Sequence, residues 1–454
     1  MMSSDFHWRC QPKAEASVIR LLDMALQKSR TLQELESAMR RETSTELLSW
    51  VDYLGAPSTP ALSAELAESG FVVDEETSDL RAFFHPGADL ARIVLYNSAH
   101  AGMEVAIGVE SIADFFLVRG MTADIQGTPL SHFRRAPLTA EHGVQLWIVE
   151  RRGGLTLEPE VADDDYAARV MRAYERWKMR PRVVSSEEKE SEAIREAQAI
   201  AEALVESVGR GMAAHIVLDV ERAYWQARNT AGQIQKSRQD RLGLGWANHD
   251  HHTFRSSRRH FAALVRLFEA LGFAPRERFY AGSDAGWGAQ IMESREAGIT
   301  LFCDVDLAPD EVDIDFAHRG LHEVDHLGTV GLWCALHGES ILQAGMHHLE
   351  AQFSFDLLRD HLKARGVDMM SPFSDLPHLR QAFTAGEQWP VDPARIERLL
   401  RKKLITSAQA DHFASHGAIG SHLENLQRKE GFKGFNQKGV NNIIRRTDPR
   451  LSQD

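Results

Sequence analysis

The stretch Asn248-His249-Asp250-His251-His252-Thr253-Phe254-Arg255 reads as one short β-strand. Strand side chains alternate between faces, so His249, His251, Thr253 and Arg255 share one face. A histidine and an arginine on one wall, two pleats apart, can hold a metal ion and an anionic group beside it. An amphipathic helix follows over residues 258–271, with Phe261, Leu264, Val265, Leu267 and Phe268 as its apolar stripe. Gly272 closes it. Three more strands are expected at 277–281, 287–293 and 298–305. This is a β-α-β-β-β unit.

A second unit opens at Gly345-Met346-His347-His348-Leu349-Glu350. Its first strand is expected at 347–355 and its helix at 356–365, ended by Gly366. One later strand is expected near 381–389, and helices at 395–404 and 407–416. The glycine-rich, aromatic run from Gly431 to Gln437 is expected to be a loop packed on the barrel. Two such units can pair into a half-open barrel. A metal in its mouth takes ligands from the first strand of each unit and from a late strand of the second. His251, His348 and Glu387 fit that order. Two imidazoles and a carboxylate leave coordination positions open, which suits Fe(II) in oxygen chemistry. Arg255 can make a charge-assisted contact to a substrate carboxylate. His249 shares the face of His251 and is a rival ligand, as Glu350 is for Glu387. His252 and His347 point to the opposite faces, where packing or surface roles are expected.

The remainder of the chain is read more coarsely. Helices are expected over 15–56, with Thr31 as an N-cap. Pro57-Ser58-Thr59-Pro60 is a turn. The clearest strands lie at 91–96, 103–107 and 144–149. A charged helical region over 185–240 is expected to be solvated or bridging. The fold class is α+β, with an N-terminal mixed α/β region over 1–240 and a metal-binding barrel with peripheral helices over 241–454.

Composition excludes several classes. The 454 residues suffice for more than one domain, and 43% hydrophobic with 26% charged content is that of a water-soluble globular protein. There is no apolar run long enough to span a bilayer, and no basic-then-apolar leader at the start, so no membrane partner is expected and the cytoplasm is the expected location. Cys10, Cys303 and Cys334 are too few and scattered for a disulfide framework. A net charge of −13 argues against general nucleic-acid binding.

The stretch from His251 to Arg255, the helix end Phe268-Glu269-Ala270-Leu271-Gly272-Phe273 and the run from Phe279 to Gly286 resemble the 2-oxoadipate dioxygenase/decarboxylase (hydroxyglutarate synthase) family of the vicinal oxygen chelate superfamily. The resemblance covers roughly residues 245–430. It implies that His251, in a His-x-x-x-Arg strand, binds iron and that Arg255 binds the substrate carboxylate. It implies His348 as second ligand, within His347-His348-Leu349, where the family has asparagine before the histidine. It implies Glu387, in Gly386-Glu387-Gln388, as third. The implied reaction is oxygenation of a 2-oxoacid such as 2-oxoadipate, with O2 as co-substrate and loss of CO2.

Other readings compete. His322-Glu323-Val324-Asp325-His326 matches the zinc-peptidase pattern, in which a helix presents both histidines on one face. Asp325 and Gly328 are poor residues for that helix. Cys334 beside His337 is a nominal nucleophile pair, although a buried cysteine is commoner. Gly282, Gly286 and Gly288 lack the spacing of a phosphate-binding loop. Within the barrel class, a ring-cleaving dioxygenase, a metal-dependent isomerase or lyase, and a metal-free binding protein remain open.

Overall fold

A computed structural model describes residues 8–97, 102–184, 186–436 and 448–450. Helices α1 (Pro12–Leu26) and α2 (Arg30–Ala38) lead in. The N-cap of α2 is Ser29, which accepts from Leu32 N; Thr31 is the second residue of the helix and donates instead to Glu141. Then come β1 (Val51–Pro57), α3 (Pro60–Glu68), β2 (Val72–Glu76), β3 (Leu80–Phe84) and β4 (Arg92–Tyr96). β4 returns parallel to β1, giving the order β2-β3-β4-β1. This is a β-α-β-β-β unit that sequence patterning did not reveal. A shorter unit follows, β5 (Met103–Gly108), α4 (Ile112–Leu117), β6 (Phe133–Glu141) and β7 (Val144–Arg151), with β7 parallel to β5. A single bridge from Gln126 to Arg135 stands where its missing strand belongs. β1 and β5 pair antiparallel and join the two units into one seven-stranded sheet.

Four helices separate this sheet from the next: α5 (Tyr166–Lys178), α6 (Glu187–Val208), α7 (Arg210–Gln226) and α8 (Thr230–Asp240). They are not a solvated bridge. Met212, Ala213, Ile216, Val217 and Trp225 of α7 are fully buried, in one core with Phe254, Phe261 and Phe268. Part of the charge visible in the sequence is buried with them, at Glu221, Arg222 and Arg238.

The wiring of the first sheet then recurs. β8 (His249–Arg255), α9 (Phe261–Ala270), β9 (Ala274–Tyr280), β10 (Trp287–Ser294) and β11 (Ile299–Asp306) give the order β9-β10-β11-β8, with β11 parallel to β8. Helix α10 (Thr329–His337) connects to β12 (His348–Gln352), α11 (Phe355–Lys363), β13 (Leu379–Phe383) and β14 (Glu387–Trp389). Helices α12 (Pro393–Arg401) and α13 (Ser407–His416) precede the last strand, β15 (Ala418–Arg428), which lies parallel to β12. β8 and β12 pair antiparallel at the centre. The protein is therefore α+β, with paired β-α-β-β-β units curling into half-open barrels. The single strand expected near 381–389 is two short ones, and β15 was not anticipated. No helix among the described residues is long and apolar enough to cross a membrane.

A buried ion network ties the helical layer to the second barrel. Glu221 of α7 accepts from Arg180, Arg182 and Trp177 Nε1, and the two arginines also donate to the carbonyls of Ile341 and Leu342, just before β12. Removing one member of a buried pair strands the others in low dielectric. Glu221→Ala is expected to destabilise the protein by about 3–5 kcal/mol, read as a lowered urea midpoint.

Candidate metal centre

The concave face of the second barrel gathers its chemistry from four strands. β8 presents His251, Thr253 and Arg255, and Phe254 on the other face packs against Phe268 of α9. Register sets Thr253 opposite His348 of β12, and His348 beside His422 of β15. Two residues on, Glu350 lies beside Glu424. The side chains follow that register. His348 Nε2 is 2.7 Å from Thr253 Oγ1 and 3.1 Å from Glu424 Oε2, and His251 Nε2 pairs with Glu350 Oε2. The ligand atoms of His348, Glu350 and Glu424 all lie within 4.8 Å of one another. Glu350 and Glu424 are each only 1% exposed.

Gln381 of β13 holds the two carboxylates apart. Its Nε2 donates to Glu424 Oε1 at 2.8 Å and to Glu350 Oε1 at 3.2 Å, and its Oε1 accepts from Asn436 N. Two buried carboxylates in register repel each other, and a cation between them is the ordinary way to keep both ionised. Burial, reinforced by His422 and Arg255, holds the His348 imidazole well below its usual pKa, in the neutral form that binds metal. The same desolvation takes His422 down to about 4.

Arg255 closes one end of the cavity. It is 3% exposed, and its Nε and Nη1 have no hydrogen-bond partner among the described residues. Its register partner on β11, Asp304, stands 3.8 Å away. Burial pushes the Asp304 carboxyl up to about 7, against the pull of Arg255. Aromatic rings form the walls: Phe302 stacks on His251 at 4.7 Å between centroids, Phe435 meets Phe302 edge-on, and Phe383 lies against His348. This narrow cavity combines the buried Arg255 guanidinium with a cluster of atoms that could hold a metal ion.

The structure thus brings His251, His348 and Arg255 together and leaves Glu387 out. Glu387 on β14 accepts from Thr230 N and Oγ1, at the N-terminus of α8, where a carboxylate is favoured. The carboxylates in the cluster are Glu350, the rival named from sequence, and Glu424, which was missed with its strand. His249 turns to the Trp246 carbonyl. His347 does line the cavity, contrary to the opposite-face expectation, with Nδ1 against the Gly420 carbonyl. His252 is buried beneath the strand.

The rivals do not hold. The segment from His322 to His326 is exposed and not helical, so no helix face presents both imidazoles. Glu323 pairs with Arg259. Cys334 is buried in α10, and burial raises its thiol well above the usual range, the reverse of nucleophile activation.

No family model matches the chain, and no curated protein does. Among solved structures, the chain is similar to a triple mutant of 4-hydroxymandelate synthase from Streptomyces coelicolor, at 12% identity and a TM-score of 0.28, over 90% of this chain and 98% of that one. It is also similar to methylmalonyl-CoA epimerase from Mycobacterium tuberculosis, at 10% identity and a TM-score of 0.23, over 40% of this chain and 89% of that one. The methylmalonyl-CoA epimerase of S. coelicolor in complex with 2-nitronate-propionyl-CoA is similar at 15% identity and a TM-score of 0.21, over 40% of this chain and 96% of that one.

Glu424→Ala and Glu387→Ala separate the two candidate third ligands. Metal retained after desalting is expected to fall on the order of tenfold or more in Glu424→Ala. It is expected to be unchanged in Glu387→Ala.

Proposed function

We propose that the second barrel is a mononuclear Fe(II) site for dioxygenation of a small 2-oxoacid. The observation that carries this reading is the convergence of two imidazoles and two buried carboxylates in one cavity with Arg255, whose Nε and Nη1 are unsatisfied. His251, His348 and Glu424 hold the metal, one from the first strand of each unit and one from the last strand of the second. Glu350 stands as a further donor beside His251. Bound there, Fe(II) supplies a Lewis-acid position for the 2-oxoacid and one-electron chemistry toward O2.

The protein's own groups do the rest. Arg255 takes a substrate carboxylate, replacing its lost water with a charge-assisted contact. Gln381 fixes the orientation of Glu350 and Glu424, as outer partners of metal ligands do. The phenylalanine walls keep water from the reacting groups. The resemblance read from sequence names 2-oxoadipate, an acid with a second carboxylate that can reach Arg255 while its oxoacid end sits at the cluster.

The test is metal content of anaerobically purified protein, then oxygen uptake with added Fe(II) across a panel of 2-oxoacids that includes 2-oxoadipate. His348→Ala is expected to lose both iron and uptake. Arg255→Ala is expected to keep iron and lose uptake on carboxylate substrates. Uptake undiminished in His348→Ala sinks the site.

A pH dependence also follows. Below about 7 the Asp304 carboxyl is protonated and leaves Arg255 free for substrate; above it the anion competes for the guanidinium. Substrate affinity is expected to weaken as pH rises through about 7. In Asp304→Asn that fall disappears, which a KM profile across the range would reveal.

A further inference from the structure

We propose a second metal site, for zinc, formed by Cys10, His378 and Glu430. Their thiol sulfur, imidazole nitrogen and carboxylate oxygen all lie within 4.8 Å of one another. Three separate segments supply them. Cys10 precedes α1, His378 precedes β13, and Glu430 follows β15.

The surroundings are built to hold the three together. Gln11 N donates to the Glu430 carbonyl at 2.6 Å, and Glu430 N donates to Glu15 Oε2 at 2.8 Å. Lys429 N donates to the His378 carbonyl. Phe432 lies against the His378 ring, with centroids 4.5 Å apart, and packs with Leu379, Leu426 and Trp8 into a small apolar cluster beside the three groups.

One feature of this cluster is unexplained without a ligand. His378 Nε2 is buried and has no hydrogen-bond partner among the described residues. An orphaned imidazole nitrogen facing a thiol and a carboxylate is an electron pair in search of a cation. One thiolate, one imidazole and one carboxylate are the donors zinc takes, with water as a fourth ligand, and the thiolate selects zinc over the hard cations. The cluster shares no residue with the barrel centre. It clips the N-terminal segment to the stretch that runs on to Phe435 and Asn436 of the cavity wall.

The test uses Cys10 itself as the probe. Cys303 and Cys334 are 0% and 4% exposed, so Cys10 is the accessible thiol. Full-length protein stripped with chelator is alkylated without Zn2+ and with Zn2+ in excess over both metal sites, and the labelled cysteine is located by peptide mass. Zinc is expected to slow Cys10 alkylation on the order of tenfold or more. In His378→Ala, shown to be folded by circular dichroism, the protection is lost. The same Cys10 alkylation rate with and without zinc in the unmodified protein overturns the proposal, independently of what the barrel binds.

Discussion

The antiparallel pairing of β8 with β12 is the constraint on which the second barrel depends. It sets Thr253 opposite His348, and β12 in turn sets His348 and Glu350 beside His422 and Glu424 of β15. Because strand faces alternate, a slip of one residue at either junction would turn these side chains out of the cavity. Backbone register therefore does the work of assembling the cluster, and each side chain needs only its ordinary direction. Gln381, Thr253 and the aromatic walls then narrow what remains of each group's freedom.

The same wiring appears twice in the chain and is used differently. In the first barrel β1 and β5 pair as β8 and β12 do, and Glu104 faces Gly55 where His348 faces Thr253. Glu104 accepts from Tyr96 at 2.7 Å and from Tyr53. Trp147 of β7 carries Arg135 stacked on it. That concave face is closed on its own side chains, while the second is filled with imidazoles, carboxylates and one arginine. A shared fold thus fixes where a site can form without fixing what forms there.

Much of the second barrel was legible in the sequence because its first strands are loud. His251 and Arg255 alternate correctly on a strand, the helix after them has a clean apolar stripe, and Gly272 ends it. His348 opens a similar pattern. Glu424 was hidden because β15, nearly all buried, shows no two-residue alternation of polar and apolar residues. Its polar positions His422, Glu424 and Asn425 suggest a loop until their partners are known. Glu387 was a reasonable carboxylate on a nearby strand, and only the tertiary contact with Thr230 takes it away. Three strands of the first barrel were legible, at 91–96, 103–107 and 144–149, but the repeat did not show because its second unit has lost a strand. Helix α7 misled by composition, since half of its charged residues, Glu221 and Arg222, are buried in ion pairs rather than solvated.

A crystal structure of protein loaded anaerobically with Fe(II), with anomalous scattering recorded at the iron edge, tests the metal centre most directly. One iron peak is predicted in the second barrel, about 2 Å from the His251 and His348 nitrogens and a Glu424 oxygen. An iron peak elsewhere, or a cavity without one in fully loaded protein, contradicts the assignment.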